Sequence, residues 1–303
     1  MSSRARVWIA FSAIYVIWGS TYLAIRLAVE TLPPFLMAGA RYFIAGVLLW
    51  GWVRIRGEYR ATWAEWREAT IVGGLMLLGG NGLVSWAEQF VPSGLAALLV
   101  STIPIWVVLL DWLWLRSARP RPRILLGLAL GIVGVGLLVR PGAATATAAP
   151  GGVSILGAVV LLLAAGFWAA GGLYARRAKL PSSSLLSVAM QMIAGGILIL
   201  LTGTATGEWA KLHLGAVSPR SLLALAYLVS FGSLVGLTAY LWLIKNTTPA
   251  RASTYAFVNP IVAIVLGWAV AGEALSPRIL LAAAVALSGV VLIVRARSAA
   301  PSA

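Results

Sequence analysis

The chain has 303 residues, 61% of them apolar and only 10% charged, with a mean hydropathy of +0.95. An ordinary soluble protein carries roughly 25% charge, so a soluble globular fold is excluded and an all-α membrane protein is expected. The formal charge is +15, but the 23 Lys+Arg fall in short clusters between apolar runs, which argues for orientation in a bilayer and against nucleic acid as a partner. The lack of cysteine and the single histidine, His213, exclude disulfides, thiol catalysis, thiolate metal sites and any His-based metal centre. No metal and no cofactor is expected.

At about 20 residues per span, ten apolar windows read as transmembrane helices near 7–29, 34–53, 69–90, 93–115, 123–140, 153–175, 183–203, 221–244, 250–271 and 277–295. The first follows Arg4 and Arg6, is too long for a signal-peptide core and lacks an evident cleavage site, so it reads as a retained span. The longest connections, 141–152 and 203–219, are rich in Ala, Thr and Gly and too short for a soluble domain. One side of the membrane receives Arg4, Arg6, Arg54, Arg56, Arg60, Arg67, Arg116, Arg119, Arg121, Arg123, Arg176, Arg177, Lys179, Lys245, Arg251, Arg295 and Arg297; the other receives Arg140, Lys211, Arg220 and Arg278. Seventeen against four predicts that both termini are cytoplasmic.

The two halves resemble each other. Pro122-Arg123-Ile124-Leu125-Leu126 returns as Pro277-Arg278-Ile279-Leu280-Leu281, and Gly134 to Arg140 is answered by Gly289 to Arg295 at the same offset. Ile44-Ala45-Gly46 is answered by Ile193-Ala194-Gly195, and Trp18 by Trp168. Matches in chain order favour a duplication, with residues 7–140 and 153–295 as its copies and 141–152 as the connection. Each copy holds five predicted spans, an odd number, so the second enters the membrane upside down. The loop charges agree, since the four arginines of 116–123 have Arg278 and Glu273 in the corresponding place. Inverted repeats characterise alternating-access carriers with a midplane site.

Ten spans in two five-helix repeats, Trp18-Gly19-Ser20 in the first span, and proline in the fourth and ninth together resemble the EamA-type drug/metabolite transporter superfamily. The resemblance covers roughly 12–139 and 157–294. It implies a secondary carrier, and within the family it is nearest in character to bacterial amino-acid and aromatic-metabolite exporters. Its implied setting is a bacterial cytoplasmic membrane, with a small-molecule substrate and the lipid bilayer as partners and no obligate protein partner.

Polar residues near the middle of a span are costly unless they face a cavity or another helix. In chain order these are Asn81, Ser101, Thr102, Gln191, Ser233 and Asn259. An interhelical hydrogen bond accounts for any one of them as well as a substrate contact does, but Asn81 sits in Gly79-Gly80-Asn81-Gly82, which invites local unwinding. Of 14 Trp, eleven fall near predicted interfaces; Trp18, Trp106 and Trp168 do not. Trp18, Tyr22, Trp168, Tyr240, Tyr255 and Phe257 could wall an amphipathic or aromatic substrate, with core packing as the alternative. Pro104 and Pro260 occupy equivalent places in spans four and nine, where each removes a backbone hydrogen bond and gives either a static kink or a hinge. Arg26, Glu30, Arg41 and Glu88 should share one depth near the outer surface, as an ion-pair cluster or as an outer gate.

No nucleophile elbow, phosphate-binding loop or paired intramembrane carboxylates are present, so catalysis is not expected. The eight acids sit near one surface or the other, Glu58, Glu65 and Glu68 in one cytoplasmic loop, which predicts transport down the substrate's own gradient. The sequence leaves open a solute channel and a multidrug or nucleotide-sugar type of carrier.

Overall fold

The computed structural model describes residues 3–57, 61–114, 120, 122–138, 155–247 and 254–298; the connection 141–152 lies outside them. Among these residues every regular element is helical. In chain order they are α1 (Ser3–Ala28), α2 (Pro34–Ile55), α3 (Trp63–Ala87), α4 (Ser93–Leu113), α5 (Pro122–Leu138), α6 (Ile155–Ala175), α7 (Ser184–Ala205), α8 (219–246), α9 (Tyr255–Ala271) and α10 (Pro277–Ser298). Eight are long and apolar enough to cross a membrane, while α5 and α9 are shorter apolar helices of 17 residues each.

Helix starts follow local capping chemistry. The helix α3 begins six residues before the apolar window, because Thr62 and Glu65 form a capping box. The Thr62 hydroxyl accepts from the Glu65 N–H, and the Glu65 carboxylate accepts from the Thr62 N–H at 2.7 Å. Ser183 caps α7 through the Leu186 N–H, and Ser218 followed by Pro219 starts α8.

Three spans are irregular. In α4 the helix is interrupted at Ser101 and Thr102, whose hydroxyls donate to the carbonyls of Leu98 and Leu99 at 2.6 Å each. Pro104 then sits in the first turn of the second segment, Ile103–Leu113, where its missing N–H costs nothing. By contrast, Pro260 lies inside a continuous α9. Both α3 and α8 contain a π-helical stretch, Gly74–Gly82 and Leu228–Val235, each followed by a resumed α-helix.

The chain divides into two compact units. The first comprises residues 1–23, 90–166 and 239–303, the second 24–89 and 167–238. In the first unit α5 packs along α10 and α4 along α9. The α5–α10 contact is close because both helices present glycine: a methyl added at Gly134 would stand 2.6 Å from Ala286, and one at Gly289 would stand 2.5 Å from the Gly127 carbonyl. Ile105, Val108, Ile124, Leu128 and Ile293 fill the core beside them. In the second unit α7 packs against both α2 and α3, around Phe35, Tyr42, Leu77, Met192, Ile199 and Val229.

Candidate functional site

In the first unit, three aromatic side chains named from the sequence meet. The ring centroids of Trp18 and Tyr240 are 5.1 Å apart, those of Trp18 and Tyr255 5.2 Å in an edge-on arrangement, and those of Tyr240 and Tyr255 5.6 Å. Edge-to-face geometry is the favoured arrangement of such quadrupoles. The cluster sits on a core of Ala10, Phe11, Ile14 and Leu243. It is fixed at its edge by a hydrogen bond between the Tyr15 and Thr254 hydroxyls. Tyr22 and Phe257 are half-buried in this unit. Asn259 is buried, with its side-chain carbonyl oxygen making no hydrogen bond. Ser101 and Thr102 hydroxyls bond within their own helix, as described above, and thereby mark the interruption of α4.

In the second unit, Asn81 lies half-buried on the π-helical stretch of α3. Gly79, on the same stretch, leaves room for the Phe167 ring of α6, since an added methyl would stand 2.6 Å from it. The next residue, Trp168, packs on the Phe35–Tyr42–Leu77 core. The Gln191 amide donates to the Ser187 hydroxyl at 2.9 Å, one turn earlier in α7. Ser233, on the π-helical stretch of α8, accepts from Arg41 Nε at 3.0 Å.

The four outer charged residues all lie in the second unit. Arg26 donates to the backbone carbonyls of Glu88 and Gln89, the latter at 2.6 Å. Glu30 lies 3.8 Å from Arg220, and both are largely exposed. Arg41 is 5% exposed and lies over the Tyr42 ring at 4.7 Å. The Glu88 side chain is fully buried.

Sequence reasoning missed two carboxylates that act at helix starts. Glu208, 4% exposed, accepts from the N–H groups of Phe35 and Leu36 at 3.3 and 2.9 Å. Glu273 accepts from those of Ser93 and Gly94 at 2.6 and 3.0 Å. In each case a carboxylate meets unsatisfied donors at the positive end of a helix dipole. Each pair lies more than 170 residues apart in the chain, so no local pattern announces it. Glu68 was also misplaced. It sits inside α3, buried, and accepts from the Tyr174 hydroxyl and the Arg67 guanidinium, each at 2.7 Å. Among the described residues no group of acids and histidine is arranged to hold a metal ion.

Long apolar helices carrying buried polar and aromatic side chains along their length define a polytopic membrane protein. The EamA-like transporter family matches residues 6–140 and again 155–295; the chain belongs to this family, and it is a multi-pass transporter of the cytoplasmic membrane. It is 37% identical over 285 residues to the inner membrane transporter YedA of Escherichia coli (strain K12), across 94% of this chain and 89% of that one. It is 25% identical to the transporter YvbV of Bacillus subtilis (strain 168), across 86% and 83%, and 24% identical to Protein PagO of Salmonella typhimurium, across 97% and 95%. A solved crystal structure shares the fold with a TM-score of 0.61 and 22% identity, covering 96% of both chains.

Proposed function

We propose that the protein is a secondary carrier for small organic solutes, amino acids or related metabolites including aromatic ones, working by alternating access at a midplane site and running in the export direction. The aromatic cluster of Trp18, Tyr240 and Tyr255 carries this reading. It is the kind of surface that takes the apolar part of an amphipathic substrate, while polar groups such as Asn259 fix its orientation. The carrier is proposed to have ten spans in two inverted five-helix repeats, with both termini cytoplasmic. Two features support the repeat. The π-helical stretches fall at corresponding places in α3 and α8. The α5–α10 contact is reciprocal: at the sequence offset of 155, Gly134 and Gly131 correspond to Gly289 and Ala286, and a methyl at Gly134 would meet Ala286 while one at Gly289 would meet Gly131 at 2.8 Å. A two-fold operation exchanges such contacts.

Counterflow tests the carrier reading. Proteoliposomes holding the purified chain and loaded with unlabelled amino acid should transiently accumulate the labelled compound, because only a carrier exchanges inner for outer solute. A screen of amino acids, nucleobases and drugs supplies the substrate. Simple equilibration with no overshoot and no saturation, for every compound that crosses, would replace the carrier by a channel.

A further inference from the structure

One cavity is formed wholly within the second unit. In the second unit the start of α2, the end of α7, the start of α8 and the segment joining α7 to α8 line an open pocket of about 280 Å³. Its walls include Leu36, Met37, Ala40, Leu200, Trp209 and Leu225, and its lining is almost wholly apolar. That volume is at the low end for an organic ligand and suits a single hydrocarbon chain better than a whole amphiphile.

The pocket is preformed, because the joining segment is fastened to the body of the unit at both ends. At one end Glu208 accepts from the Phe35 and Leu36 N–H groups. At the other, the Ser218 N–H donates to the Thr31 hydroxyl at 3.1 Å and the Ser221 hydroxyl to the Leu27 carbonyl at 2.8 Å. The segment's own outward face is apolar where it meets the pocket, with Trp209 and Leu214 strongly exposed. Two basic residues stand beside lining residues in the sequence. Lys211 stands between the lining residues Trp209 and Leu212, and Arg220 two residues before the lining residue Leu222. Both cations are exposed, and Glu30 is the acid that approaches Arg220, loosely and in the open.

We propose that this pocket binds one acyl chain of an anionic phospholipid, with the phosphate held at Lys211 and Arg220. Hydrophobic walls take the chain, and the basic rim selects the headgroup charge. Lys and Arg near a membrane surface each favour anionic lipid by about five-fold. That the lipid comes from the outer leaflet rests on the topology proposed above; the site itself does not.

Phospholipids brominated on their chains quench nearby tryptophan, and Trp209 lines the pocket. The full chain in detergent micelles is titrated with brominated phosphatidylglycerol and brominated phosphatidylcholine, and Trp209 quenching is taken as the difference from Trp209→Phe. Phosphatidylglycerol should quench at a concentration at least five-fold lower than phosphatidylcholine. Ala40→Phe, which fills the pocket, should abolish the Trp209 component. Lys211→Gln with Arg220→Gln, both at exposed positions that leave the fold intact, should bring the two lipids together. Equal quenching by the two lipids in the wild type, or undiminished preference in the doubly neutralised variant, would overturn the proposal. The measurement involves no transport, so its failure is distinct from failure of counterflow.

Discussion

At Gly267 an added methyl would stand 2.3 Å from the Glu273 carboxylate oxygen and 3.0 Å from the Ser93 hydroxyl. The bare backbone of α9 is therefore the seat of the carboxylate that caps α4. Gly267→Ala is expected to displace Glu273 and to lower the thermal midpoint of the purified protein as Glu273→Gln does. Each charge-assisted bond to a backbone donor is worth about 1.5–3 kcal/mol, which sets the scale of the loss. An unchanged midpoint for Gly267→Ala would show that the seat tolerates a side chain. Among the proposed substrate contacts, Trp168→Ala and Asn81→Ala are expected to reduce transport by more than they reduce abundance in the membrane. Normal saturation kinetics at wild-type abundance would remove both from the site. The aromatic and amide residues inside the apolar windows were legible in the sequence, because such groups have few reasons to be there. Their grouping was not. Trp18 meets Tyr240 and Tyr255 from more than 200 residues away, and Gln191 turns out to bond within its own helix.

Helices were readable where composition alone decides them and misjudged where side-chain chemistry sets the end. The apolar window of α2 opens where the helix does, at Pro34. The true start of α3 lay in the polar pattern Thr62-x-x-Glu65, present in the sequence but outside any hydropathy window. Proline at matched places in α4 and α9 sits in different local settings: α4 is interrupted at Ser101–Thr102, where two hydroxyls compete for helix carbonyls, while α9 carries Pro260 within a continuous helix. The π-helical stretches had no signature beyond their glycines. At this scale the α5–α10 contact makes a direct prediction. Gly289→Leu must push a branched side chain into the Gly127 carbonyl and the Gly131 amide, forcing the helices apart and costing several kcal/mol by overpacking. Gly136→Leu, at a position with open space around it, should be tolerated. Comparable melting of the two variants would contradict the packing.

For the molecule as a whole, the charge asymmetry predicts that cysteines placed at 146 and 211 react with an impermeant reagent added outside intact cells. The lack of native cysteine makes the labelling clean; position 146 lies outside the described residues, and Lys211 is exposed. Protection at either site would count against the topology. Coupling is predicted to be passive. Glu208 and Glu273 are engaged at helix starts and Glu68 is held by Tyr174 and Arg67, so none of these three is placed to relay protons. Liposomes should therefore equilibrate substrate without a pH gradient. Accumulation driven by an imposed gradient and abolished in Glu88→Gln would refute this. One feature of α3 and α8 reaches further. Each carries a π-helical stretch within the span, whose wide turn holds more residues than an α-helical one. Such a turn is a dislocation in an otherwise regular screw. Shifting it by one position exchanges backbone partners one at a time, and rotates the residue it passes by roughly 100° while the helix axis stays where it is. Asn81 and Ser233 both ride on these dislocations, at points where a rod can alter the face it offers without tilting.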